Sequence, residues 1–204
     1  MANVNWDKIG GWEGVGVNQA YTLNSANFPK SGVTIGTGFD LGSKTPEFLS
    51  KMGVEQDTIN SFLPYLNLKG AQAEEALKQK PLTLTREQVS DLDSKSRQHY
   101  TTQISNRYDA TNPPVKFDDL SQEQQTVITS LSFQYGDLST KTPNFWSFVT
   151  KGDWLGADKE LRNFGDKHKT RRTEEADYLL EGQKKTEQAK PKEVQTEEID
   201  PELV

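Results

Sequence analysis

The chain has 204 residues, a net charge of −6 and no cysteine, which excludes disulfides, thiolate metal sites and a cysteine nucleophile, and its acidic balance argues against a general nucleic-acid-binding face. Hydrophobic residues make up 32% of the chain and nowhere form the run of about 18 that a membrane-spanning helix needs. The only histidines, His99 and His168, read as plain surface residues and are too few for a histidine-rich metal centre.

The first eight residues carry neither the basic nor the apolar region of a secretory signal. A short helix is expected there, ending at Glu13. Gly10, Gly11, Gly14, Gly16, Gly32, Gly36, Gly38 and Gly42 then crowd eight of the 15 glycines into the first 42 residues, a density that marks turns and close backbone approach. Val33-Thr34-Ile35 is β-branched and bounded by glycine, so it reads as a strand in a small sheet spanning about residues 14–44. From about residue 45 the pattern is helical. Thr85-Arg86-Glu87-Gln88 is a capping box opening a helix to about Arg107, and Asn112-Pro113-Pro114 breaks the chain.

Ser121-Gln122-Glu123-Gln124 is a second capping box, with Leu120 placed as a staple residue; Val127, Ile128, Leu131 and Tyr135 follow helical spacing, and Gly136 is the expected stop. Asn144 and Asp153 are expected to cap two short helices whose Phe and Trp residues read as core rather than as sugar platforms. A last helix is expected over about 170–181, with Gly182 as its stop. From Gln183 to the end the composition is that of a disordered, acidic tail. A small glycine-rich β lobe followed by a mainly helical lobe is the α+β class.

Glu13 and Asp40 are the acids of the glycine-rich region, and no Asp or Glu lies between them. Two carboxyl groups flanking a cleft are the minimum for hydrolysing a glycosidic bond: one, protonated, gives its proton to the leaving oxygen, and the other, ionised, activates water or attacks carbon. Trp12 beside Glu13 is placed to favour its neutral form by desolvation. Thr34 stands six residues before Asp40, so a strand and turn would bring a hydroxyl and a carboxylate to one mouth.

Glu13-Gly14 followed by Ser31-Gly32-Val33-Thr34-Ile35-Gly36-Thr37-Gly38-Phe39-Asp40-Leu41-Gly42 resembles the active-site region of the phage-type lysozymes, closest to their pesticin-like muramidase branch. Many phage members carry their second acid before the threonine; this chain has none there, and the pesticin-like branch places it six residues after, on Asp40. The resemblance implies Glu13 as general acid, Asp40 as second acid and Thr34 as a holder of the attacking water. More loosely, Ser132-Phe133-Gln134-Tyr135-Gly136 is similar to a cleft-wall motif, implying a substrate contact for Gln134, and Tyr21 is a candidate cleft residue. Arg171-Arg172-Thr173-Glu174-Glu175 resembles the family's last helix, in which an arginine pairs with the catalytic glutamate; the sequence does not choose between Arg171 and Arg172.

The implied protein is a lysozyme-like muramidase domain over residues 1–182, a monomer using no metal or organic cofactor. It would cut the β-1,4 bond between N-acetylmuramic acid and N-acetylglucosamine in peptidoglycan with inversion. A lytic transglycosylase, which needs no water-activating base, and a non-catalytic wall-binding or inhibitor module on the same fold are the alternatives. No signal or anchor is read in the chain. Its substrate lies outside the cytoplasm, so release by lysis, as for a phage endolysin, or injection as an interbacterial effector is expected. An injected effector implies a cognate immunity protein. Neither nucleic acid nor membrane insertion is expected.

Overall fold

The computed structural model describes residues 2–13 and 16–189, apart from the side chains of Glu13 and residues 183–189. Helix α1 (Trp6–Glu13) leads into an antiparallel sheet in the order β1 (Val17–Thr22), β2 (Val33–Gly36), β3 (Phe39–Asp40). Gly36 (φ 61°) and Gly38 (φ 80°) take up the positive dihedrals of the β2–β3 turn, which an L side chain adopts only with strain. Between them Thr37 donates its N–H and its hydroxyl to the two carboxylate oxygens of Asp93, at 3.0 and 2.7 Å.

One face of the sheet is apolar. Ala20, Val33, Ile35, Phe39 and Leu41 join Leu49, Ile59, Phe62 and Leu92 in a first core, closed by α2 (Pro46–Lys51), α3 (Gln56–Phe62) and α4 (Ala71–Gln79). The lobe around the sheet therefore extends well beyond the glycine-rich stretch. Helix α5 (Arg86–Asp109) links it to a second core: its Leu92 belongs to the first, its Ile104 and Tyr108 to the second. The capping box of Thr85 and Gln88 forms as the sequence requires.

Helix α6 (Gln122–Tyr135) runs through the second lobe, buried continuously from Glu123 to Leu131. Its capping box forms and Gly136 ends it with φ 80°. The staple is replaced: Gln125 occupies the position that would pack on Leu120, and its amide instead donates to the Leu120 carbonyl at 2.9 Å. Helices α7 (Leu138–Lys141), α8 (Pro143–Thr150), α9 (Trp154–Arg162) and α10 (Lys169–Ala189) complete the fold. Asp153 caps α9, accepting from Gly156 N at 2.8 Å. Asn144 caps nothing. It lies inside α8, whose N-cap is Thr142 with Pro143 in the first turn, where the fixed φ and missing N–H of proline suit a helix start.

Gly182 does not stop the last helix, which continues to Ala189; residues 183–189 of the expected tail are thus helical, and residues 190–204 lie outside the described ones. The glycine instead serves close packing. A Cβ there would stand 2.5 Å from Ser121 Oγ and 2.9 Å from Glu123 Cβ at the start of α6. Ser121 cannot swing away without breaking the cap it makes to Gln124 N. Gly182→Ala is therefore expected to destabilise by about 1–3 kcal/mol through overpacking, although alanine is the better helix former by about 1 kcal/mol. A denaturation midpoint that rises in the variant would refute the close-packing account.

Candidate active site

The sheet face opposite the first core carries three of the candidate residues. Tyr21 pairs with Thr34 and Thr34 with Asp40. Residues directly opposed in antiparallel strands project to the same face, with Cβ atoms about 4.5–5.5 Å apart. Tyr21, Thr34 and Asp40 thus form one row across the strands. Tyr21 is exposed, Asp40 half-buried and Thr34 only 6% exposed.

Asp40 is fixed by its surroundings. One carboxylate oxygen accepts from Gly42 N at 2.6 Å and Gly32 N at 3.2 Å; the other accepts from Gly32 N at 3.0 Å and Ser31 Oγ at 3.2 Å. The glycines are what permit this. A Cβ on Gly32 would meet the Gly42 backbone at 2.4 Å and the Asp40 carboxylate at 2.7 Å, so the two backbone segments and the acid fit together only without side chains there.

Residues that carried no signal in the sequence surround it. The Lys44 ammonium stands over the Phe39 and Phe48 rings, 5.5 and 5.1 Å from their centroids. Burial holds its pKa below the ordinary lysine value, opposed by the attraction of Asp40. Tyr100, on α5, is pushed up by burial and by the Asp40 charge. His99 is not a plain surface residue: it packs edge-on against Phe48 at 5.0 Å, and burial together with the Lys44 charge holds its pKa down. Tyr100 in turn packs edge-on against Phe133 of α6 at 5.2 Å. An aromatic chain thus connects the surroundings of Asp40 to the segment that bears Gln134.

Gln134 faces α10. Its Oε1 accepts from Arg172, which leaves the amide NH2 as the group it can offer a substrate. Arg172 is 1% exposed. It also pairs with Glu175, approaches Asp166 at 3.3 Å and lies over the rings of Tyr135 and Phe164. Arg171 shares the same buried carboxylate, donating from Nε to Glu175 at 3.0 Å and from Nη2 to Ser130 Oγ at 3.0 Å. His168 donates its backbone N–H to Asp166 at 2.8 Å.

Glu13 is the last residue of α1, and its side chain is outside the described ones. Trp12 turns toward α10, its indole N–H donating to Glu174 at 2.9 Å and its ring packing edge-on against Tyr178. Around α1, Ile9 is buried and the preceding segment is tied to α6 through Asn5 N, which donates to Thr126 Oγ1 at 2.9 Å. The sheet row and the Gln134–Arg172 contact are therefore the parts of the candidate site that the geometry brings together.

A family model described as "Pesticin: Bacterial toxin homologue of phage lysozyme, C-term" matches residues 3–155. That span includes Glu13, Tyr21, Thr34, Asp40 and Gln134 and stops before α10. No curated protein matches the chain.

Proposed function

This chain belongs to the Pesticin family of toxin homologues of phage lysozyme, and from that premise we propose that it is a peptidoglycan N-acetylmuramidase hydrolysing the β-1,4 bond between N-acetylmuramic acid and N-acetylglucosamine. The observation that carries the reading is the pairing of Thr34 with Asp40 on the sheet face turned away from the core. A hydroxyl and an anchored carboxylate side by side can hold one water molecule between them.

In the proposed reaction Glu13 gives its proton to the leaving oxygen. Asp40 takes a proton from the water, Thr34 holds that water, and the water oxygen attacks the anomeric carbon from the opposite side. The configuration then inverts, which requires the two carboxyl groups to stand about 6.5–9.5 Å apart. Tyr21 and the Gln134 amide contact the sugars. Arg172 bonds to Glu175 and Gln134 and approaches Asp166, and its side chain is 2% exposed against 11% for Arg171, which favours Arg171 as the arginine that pairs with Glu13. No step uses a metal or organic cofactor. The enzyme acts in the periplasm, reached by lysis or by injection, and an injected form has a cognate immunity protein as partner.

Asp40→Asn tests the water-activating role. It is expected to lower sugar release from purified sacculi by about 10²–10⁴-fold, the usual worth of a general base. Full activity in this variant, with products closed as 1,6-anhydro sugars, would favour a lytic transglycosylase. Binding to sacculi without sugar release from the unaltered chain would favour a non-catalytic wall-binding module.

A further inference from the structure

A groove of about 1100 Å3 runs along the outer face of α5, and none of Tyr21, Thr34, Asp40 and Gln134 lines it. One wall is α5 from Arg86 to Asn106, a rise of about 30 Å at helical spacing. The other is the N-terminal segment, through Ala2, Val4 and Trp6, with Gly16 and Thr37 at the sheet end. Both walls are held in place. Asn3 N donates to Gln125 Oε1 at 2.6 Å and Asn5 N to Thr126 Oγ1 at 2.9 Å, while Asp93 of α5 clamps the turn through Thr37. A groove built this way loses little freedom when it is filled.

Its chemistry is specific. Ser90, Ser94, Gln98, Thr102 and Asn106 present short hydroxyl and amide side chains along successive turns of the helix. These groups both donate and accept, as the hydroxyl and acetamido groups of amino sugars do. In a chain of net charge −6 the groove nevertheless carries Arg86 and Arg97. Arg86 stands in the first turn of α5, where the helix dipole disfavours a cation. The Arg97 guanidinium is held 5.7 Å from the centroid of the Trp6 ring, which fixes a planar donor fork suited to a carboxylate. Of the groove's acids, Asp93 has both oxygens taken up by Thr37 and Asp118 stands at the far end. Val4, Trp6 and Val89 also line the groove, so a protein partner is the competing occupant that the test must separate, whereas a nucleic acid would call for many more cations.

We propose that this groove is a second, non-catalytic binding site for a carboxylate-bearing amino-sugar strand, holding the enzyme on the wall while the sheet face works on another segment. This rests on the reading of peptidoglycan as substrate. The test uses the full chain with two variants, Arg86→Ala/Arg97→Ala, which removes the charges, and Ser94→Trp, which fills the groove from an exposed position. Co-sedimentation with purified sacculi and turnover of a short soluble peptidoglycan fragment are measured in parallel. Both variants are expected to stay folded and to lose about tenfold or more in sacculus binding, the first because a charge-assisted hydrogen bond is worth about that much and the second because the indole occupies the groove, with unchanged turnover of the short fragment.

The proposal is overturned if either folded variant binds sacculi as the parent does, or if fragment turnover falls as far as binding. It is also overturned if the variants lose only the binding of a protein partner. Sacculus binding that depends on the groove, with no sugar release from the parent, would instead sink the muramidase reading and leave the groove standing.

Discussion

Glu13→Gln is expected to keep the fold and to reduce sugar release from sacculi by about 10²–10⁴-fold. Glutamine has the shape of glutamic acid but no proton to give. The leaving sugar oxygen must then depart as an alkoxide or wait for a proton from water, and positioned general-acid help is worth a factor of that size. Helix α1 is anchored by buried Ile9, by Trp12 against Glu174 and Tyr178, and by Asn5 to Thr126. The variant should therefore unfold at the midpoint of the parent and still bind the wall. Turnover within a factor of about three of the parent, well short of the loss expected for an absent general acid, would remove Glu13 from the chemistry.

Arg172→Met is expected to cost about 3–5 kcal/mol of stability. Glu175 is fully buried, and its carboxylate is satisfied by Arg172, Arg171 and Ser130 together. Taking away one cation leaves the acid short of compensation in a site water does not reach, and breaking a buried pair from one side costs about that much. Replacing both partners, as in Arg172→Met/Glu175→Gln, should recover a large part of the loss, because the charge that lacked a partner is gone as well. Urea unfolding of the parent, the single variant and the double variant measures this directly. A loss below about 1 kcal/mol in Arg172→Met would place the pair with exposed ion pairs, which contribute little. The same variant frees the Gln134 amide, so any activity it retains at low temperature should show weaker substrate binding.

Local signals carried much of the fold. Both capping boxes are written within a few residues and need no distant partner, and each forms where the pattern puts it. Gly136 ends α6 for the same reason. Gly182 misled because a glycine at a helix end and a glycine under a neighbouring helix look alike in sequence; only the approach of α6 separates them. Asn144 misled because Pro143 starts α8 two residues earlier than a cap at Asn144 would.

The candidate site divides in the same way. The glycines flanking Thr34 and Asp40 were legible as requirements of close approach, and the structure gives each a reason: Gly36 and Gly38 make the turn, Gly32 and Gly42 admit the Asp40 carboxylate. The strand and turn that set Thr34 beside Asp40 were legible, but the place of Tyr21 in the same row was not, since its register depends on an irregularity in β1. Lys44, four residues after Asp40, and Tyr100 of α5 both feel the Asp40 charge, and nothing in their local sequence marks them. The bond from Arg172 to Gln134 joins residues far apart in the chain. It accounts for both at once: the arginine holds the glutamine rather than standing open in a cleft.

The most direct test of the central claim is the mass of the fragments that the unaltered chain releases from purified sacculi, with Glu13→Gln run beside it. Hydrolysis at the muramic acid predicts disaccharide peptides with a reducing N-acetylmuramic acid end, each heavier by one water than the corresponding anhydro form, and almost none from the variant. Fragments lacking that water, or no soluble sugar from the unaltered chain, would contradict the account.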